Sequence, residues 1–102
     1  KILFLEDLDE YLYHIERMII SMKRNGKFEN LKGMIVGEMI NMHDNKVSFG
    51  RTAEEIIFNQ IEEYDFPICF GFPSGHINDN RTLKFGLNSI LNIRRNSVSL
   101  SQ

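Results

Sequence analysis

Near the end of the chain, in the stretch CFGFPSGHIND from Cys69 to Asp79, one histidine follows Pro73, Ser74 and Gly75. A neutral imidazole near pH 7 is the commonest general base. Gly75 lets the backbone turn sharply before His76, and Pro73 fixes the start of the turn. Taken alone, the same pattern also describes a solvated loop histidine, which is the commoner case. The second candidate is Glu6, which closes the apolar run Ile2-Leu3-Phe4-Leu5. A carboxylate beside an imidazole fixes its tautomer and stabilises its cation. A strand-ending charge is the plainer alternative for Glu6, and Asp7, Asp9 and Glu10 compete for the role of acid. Physics alone leaves that choice open.

An acid and a base still need a nucleophile or a metal. His14, His43 and His76 show no metal-ligand spacing, and no cofactor is implied. Cys69 has no thiol or histidine partner nearby in sequence and reads as a small core residue. Ser74 lies too close to His76 along the chain. Ser21, Ser48, Ser89, Ser97, Ser99 and Ser101 lack a nucleophile-elbow context. Arg81 lies close after His76, and a solvated turn arginine is its plain reading. The candidate site is therefore incomplete within this chain.

The elements that must position Glu6 and His76 are legible from periodicity. The run ILFL predicts a buried strand with carboxylates at its carboxyl end. Asp9 is placed to cap a helix over 10–25, in which Leu12, Ile15, Ile19 and Met22 form one apolar face. Lys23 and Arg24 suit that helix's C-terminal dipole, and Gly26 is a natural C′ residue. KGMIVGEM predicts a second strand, about 33–39. The polar segment 41–50 predicts a loop. Thr52-Ala53-Glu54-Glu55 is a capping box for a helix that buries Ile56, Ile57 and Ile61 and stops before Phe66-Pro67. FPICFGF predicts the third strand, which leads into the His76 loop. TLKFG, NSILNI and SVSL predict a small antiparallel meander. The order β-α-β-α-β-β-β-β is an α/β class, with a largely parallel core and an antiparallel C-terminal meander. In such sheets, sites gather beyond the carboxyl ends of the strands, where both Glu6 and His76 are expected.

The bulk numbers narrow the partners. A chain of 102 residues, 42% apolar and 25% charged, suits one globular domain spanning 1–102. The net charge of -2 gives no general attraction to nucleic acid or anionic membranes. Basic residues cluster only at Lys23-Arg24 and Arg94-Arg95, too few for a phosphate-tracking surface. No apolar run reaches membrane-spanning length, and no signal peptide is visible. The single cysteine suggests a reducing compartment, so a cytoplasmic location is expected. A chain that opens on Lys1, already inside a strand, is expected to be a piece of a longer protein.

Three blocks, in order, carry a resemblance. KILFLEDLDEYLYHIERMI, LKGMIVGEM and FPICFGFPSGHINDNRTLKFG together resemble the C-terminal domain of the LD-carboxypeptidases, the serine peptidase family that also holds the microcin C immunity peptidases. The resemblance covers the chain to about Gly86. It implies a swivelling β/β/α-type domain and a Ser-Glu-His triad, with Glu6 and His76 as the acid and the base. The nucleophilic serine and the oxyanion donors would belong to an N-terminal domain absent from this chain. The implied substrate is a murein tetrapeptide losing its terminal D-Ala during peptidoglycan recycling. Immunity members act instead on an amide in a peptide-nucleotide antibiotic, and a non-catalytic α/β interaction domain is the alternative outside enzymology. The family is commonly dimeric, so a homodimer is a further expectation. Lys84 departs from a proline common at that position, and the loop after Met42 matches poorly.

Overall fold

Three apolar runs become three parallel strands, and the connections between them decide the layers. The structure is a computed structural model that describes residues 1–44, 50–73, 83–94 and 97–102. Its elements are β1 (Ile2–Leu8), α1 (Leu12–Arg24), β2 (Gly33–Ile40), α2 (Ala53–Ile61), β3 (Ile68–Phe72), β4 (Ile90–Ile93) and β5 (Val98–Ser101). The first three strands form a parallel sheet in the order β1-β2-β3. Parallel neighbours need crossovers, and right-handed crossovers that step the same way put both helices on one face. There α1 and α2 pack together, and Ile15, Ile19, Ile56, Ile57 and Ile61 close over Met34 and Val36.

The opposite sheet face receives β4 and β5, an antiparallel pair with Leu91 opposite Leu100. Phe85 meets Phe4 there, ring centroids 6.0 Å apart. Leu91 lies so close to Gly33 that a Cβ at that position would sit 3.2 Å from its Cδ2. The layers are therefore hairpin, parallel sheet and helices. This bears out the α/β class with a parallel core and an antiparallel C-terminal part.

Local expectations fared unevenly. The expected three-stranded meander is a two-stranded hairpin among the described residues. Residues 83–89 form no strand; Gln102 Oε1 accepts the Lys84 N–H at 3.0 Å and its Nε2 donates to the Lys84 carbonyl at 2.6 Å. Gly86, at φ 77, then turns the chain. The first strand does not stop at its carboxylates but runs through Glu6 and Asp7 to Leu8. Asp9 is not the cap of α1. The helix starts two residues beyond the expected Glu10, with Tyr11 as N-cap and no side-chain cap bond. Instead the His43 carbonyl accepts the Leu12 N–H at 2.9 Å.

The second helix follows its sequence signal. Thr52 Oγ1 accepts the Glu55 N–H at 3.2 Å, and Glu55 Oε1 accepts the Thr52 N–H at 3.1 Å. This reciprocal box satisfies donors that a helix start otherwise leaves to water. Thr52→Ala is expected to lower stability by about 1 kcal/mol, measured by thermal or urea unfolding. The helix ends at Ile61, several residues before Phe66. There the Ile61 carbonyl accepts the Tyr64 N–H at 2.9 Å. The Tyr64 ring then turns edge-on to the buried Phe28 and stacks on Phe66. Among the described residues, no helix is long and apolar enough to cross a membrane.

Candidate active-site edge of the parallel sheet

Glu6 sits where both ladders of the sheet lose step. From Ile2 opposite Gly33 to Leu5 opposite Val36, β1 and β2 pair residue for residue, and then Asp7 faces Met39. One extra β2 residue therefore lies opposite Glu6. Between β2 and β3, Ile35 faces Cys69, but Gly37 faces Phe72, so β3 carries an extra residue at about the same level. Such bulges re-aim side chains and recur beside active sites.

The shift has a visible consequence on β2. Regular alternation would put residues 34, 36 and 38 on one face. Met34, Val36 and Met39 are the ones that pack on the helix-side core, so Glu38 is turned away from it. Its carboxylate lies over Gly71, where an added Cβ would sit 3.6 Å from Glu38 Oε1. Gly71 has φ 67, a conformation that side chains disfavour. On β1, Leu3 and Leu5 pack toward the helices while Phe4 meets Phe85 on the hairpin side. Alternation puts half-buried Glu6 with Phe4. Asp7 falls on the helix face, opposite Met39.

His76, Ser74 and Arg81 lie outside the described residues, so the structure does not bring Glu6 and His76 together in view. It does place their supports. The chain leaves β3 at Phe72 and Pro73, at the same carboxyl edge that carries Glu6.

The competing acids are occupied elsewhere. The Asp9 carboxylate pairs with His43 Nε2, and Asp9 itself is left-handed, at φ 57. Glu10 Oε1 lies 2.6 Å from His14 Nδ1 and accepts the Tyr11 N–H at 3.1 Å. The bond to His14, then the one from Tyr11, holds the Glu10 carboxyl below its ordinary value. A depressed carboxylate contributes stability above its unfolded pKa and loses it as pH falls through its folded pKa. An NMR titration is accordingly expected to place Glu10 below the normal carboxylate range. His14→Ala should move it back up.

Cys69 is buried, as expected, and desolvation pushes its thiol up, away from the reactive thiolate. A groove of about 580 Å³ runs between Phe4 and Ile35 on the sheet and Phe85 and Leu100 near the hairpin. It also takes in Lys1 and Ile2, toward the amino end of β1, and Glu6 does not line it.

Three features escaped the sequence reading. The Glu10–His14 pair was visible as i,i+4 spacing on one helix. The Asp9–His43 pair was not, since it spans 34 residues and depends on a parallel bridge between Tyr11 and His43. Glu38 escaped because strict alternation assigns it to the wrong face.

Comparison with known proteins adds a relationship to this geometry. The family model for the LD-carboxypeptidase C-terminal domain matches residues 1–91. The chain is 29% identical over 92 residues to a probable murein peptide carboxypeptidase of Bacillus subtilis (strain 168), covering 90% of this chain and 29% of that protein. Among solved structures, muramoyltetrapeptide carboxypeptidase from Oxalobacter formigenes matches with a TM-score of 0.84 and 25% identity, over 97% of this chain and 35% of the other. The microcin C7 self immunity protein MccF, in complex with adenosine monophosphate, matches in fold, with a TM-score of 0.60 and 24% identity, over 71% of this chain and 21% of the other. The chain thus spans between 21% and 35% of the length of these relatives.

Proposed function

Because the chain belongs to the LD-carboxypeptidase C-terminal domain family, we propose that it is the C-terminal part of a serine-type carboxypeptidase that removes the terminal D-Ala from murein tetrapeptides during peptidoglycan recycling. The observation that carries the reading is the continuous family match over residues 1–91, which takes in both Glu6 and His76. The double register shift that sets Glu6 at the sheet's carboxyl edge supports it.

The roles follow from the chemistry of each side chain. His76 takes the proton from a serine hydroxyl as that oxygen attacks the carbonyl of the scissile amide. It returns the proton to the leaving D-Ala amine, and a water activated the same way then hydrolyses the acyl-enzyme. Glu6 orients the ring and stabilises the imidazolium. Backbone donors stabilise the tetrahedral oxyanion. In this reading the serine and those donors belong to an N-terminal domain of a longer polypeptide. That polypeptide works in the cytoplasm on soluble murein peptides, as a homodimer.

A second reading is an immunity-type peptidase. Match quality favours the first, since the muramoyltetrapeptide carboxypeptidase fold covers nearly the whole chain and the MccF fold about seven-tenths of it. The test is an assay of the longer polypeptide on a murein tetrapeptide and on a nucleotidyl-peptide amide. Release of D-Ala supports the proposal. Cleavage of the nucleotidyl peptide without D-Ala release supports the second reading, and inertness on both points to an interaction domain. The 102-residue chain alone is expected to release no D-Ala, because it lacks the nucleophile.

A further inference from the structure

We infer that Gly71 is a positioning residue for the proposed base: its left-handed backbone turns the chain that leaves β3 onto the sheet face that carries Glu6. The inference rests on the proposed roles of Glu6 and His76 and adds what aims the segment between β3 and His76. Its first support is the register. With Ile35 opposite Cys69, regular pairing would set Gly37 opposite Gly71, yet Gly37 faces Phe72. The inserted residue is therefore Phe70 or Gly71. Of the two, Gly71 is the one with a positive φ, 67°, a region that glycine enters freely and most L side chains do not.

The second support is what the turn does to the residue beyond it. Ile68 and Phe70 pack on the helix-side core. Unbroken alternation would add Phe72 to them. Among the described residues, Phe72 is absent from that core and lines a cleft with Leu83, Val98 and Leu100 instead. The alternation thus changes face within β3, just before the chain leaves the sheet. His76 follows Gly71 by five positions.

The third support is that β2 does the same at the same level. Glu38 is turned off the core by the slip between β1 and β2, and its carboxylate lies over Gly71. A Cβ on Gly71 would sit 3.6 Å from Glu38 Oε1, an ordinary van der Waals contact. Room is therefore not what demands glycine there; the backbone angle is. An alanine at this position relaxes toward negative φ, and the chain beyond it swings back toward the helix side.

The test compares Gly71→Ala with Gly26→Ala in the longer polypeptide. Gly26 has φ 70 and similar room, with Glu29 Cγ 3.9 Å from an added Cβ. It follows α1, which runs back toward the amino ends of the parallel strands. Both variants carry the same backbone strain, so a merely structural role predicts equal effects. In steady-state kinetics on a murein tetrapeptide, Gly71→Ala should lower kcat about 10²-fold, the scale of a misplacement of about 1 Å, with KM little changed. Gly26→Ala should leave both unchanged. The second readout is proton NMR without substrate. The downfield resonance of an imidazole N–H bonded to a carboxylate, identified by its loss in Glu6→Gln, should vanish in Gly71→Ala and persist in Gly26→Ala. Should Gly71→Ala fail to fold, Gly71→Asn decides, because asparagine tolerates the left-handed region. It should lower kcat by about threefold to tenfold and weaken the resonance, while Gly26→Asn changes neither. Equal losses at positions 71 and 26, or none at position 71, overturn the inference. So does a resonance missing from the unaltered protein, which leaves no Glu6–His76 pair to aim. D-Ala release by the unaltered polypeptide tests the proposed activity by itself, so the two can fail independently.

Discussion

If the proposed function holds, alanine in place of His76 is expected to lower kcat of the longer polypeptide about 10⁴-fold or more, with KM little changed. In the proposed mechanism His76 is the base and acts in the transition state, and loss of a transition-state interaction falls on kcat rather than on binding. Without an imidazole, a serine hydroxyl must lose its proton to water, and the leaving amine has no acid. What survives comes from oxyanion donors and substrate binding, which a triad knockout leaves in place. Glu6→Gln should fall in the same direction by about 10³- to 10⁴-fold, because an amide can hold the wrong tautomer and cannot stabilise an imidazolium. Two carboxylates calibrate this result. Asp9→Asn and Glu38→Gln should each change kcat less than tenfold, since Asp9 is paired with His43 and Glu38 lies over Gly71. A comparable loss at either would move the acid's role away from Glu6. Steady-state kinetics of the purified variants on a murein tetrapeptide give all four numbers.

The second large effect concerns the layer that holds the site in place. Ile57 is fully buried between α2 and the sheet, in one cluster with Met34, Val36 and Ile19. Truncation to alanine removes three carbons from a site with no access to solvent, and the surrounding helices relax only in part. The expected cost is about 2–5 kcal/mol. For a domain of this size that lowers Tm by roughly 10–25 °C. The neighbouring Phe58 is 45% exposed, and Phe58→Ala should cost less than about 1 kcal/mol. Thermal melts of the two variants side by side separate burial from residue type, because phenylalanine is the larger side chain.

What the chain reveals by itself is what depends on near neighbours. The capping box at Thr52, the apolar face of Leu12, Ile15 and Ile19, and the three parallel strands are written in spacings of two to four residues, and the structure has all of them, although only β2 is largely buried. Features set by contact between distant segments were hidden. The bulge that turns Glu38 off the core exists because β2 loses step with β1, and nothing within KGMIVGEM announces that. Asp9 resembles a helix cap in sequence, yet its carboxylate goes to His43, brought alongside by the end of β2. TLKFG reads as a strand, yet its lysine backbone is taken by the Gln102 side chain. For the proposed site, Glu6 was expected to close its strand, whereas β1 runs on to Leu8. The register puts Asp7 on the helix face and Glu6 on the other, a difference between the two carboxylates that the sequence did not display.

The most direct measurement of the central claim is a crystal structure of the intact protein with a substrate analogue bound. Its decisive quantity is the separation between the nearer Glu6 carboxylate oxygen and the facing ring nitrogen of His76. The account predicts about 2.6–3.2 Å, with the other ring nitrogen turned toward a serine hydroxyl. A separation beyond about 5 Å in the bound state, or a different carboxylate on that nitrogen, would contradict it.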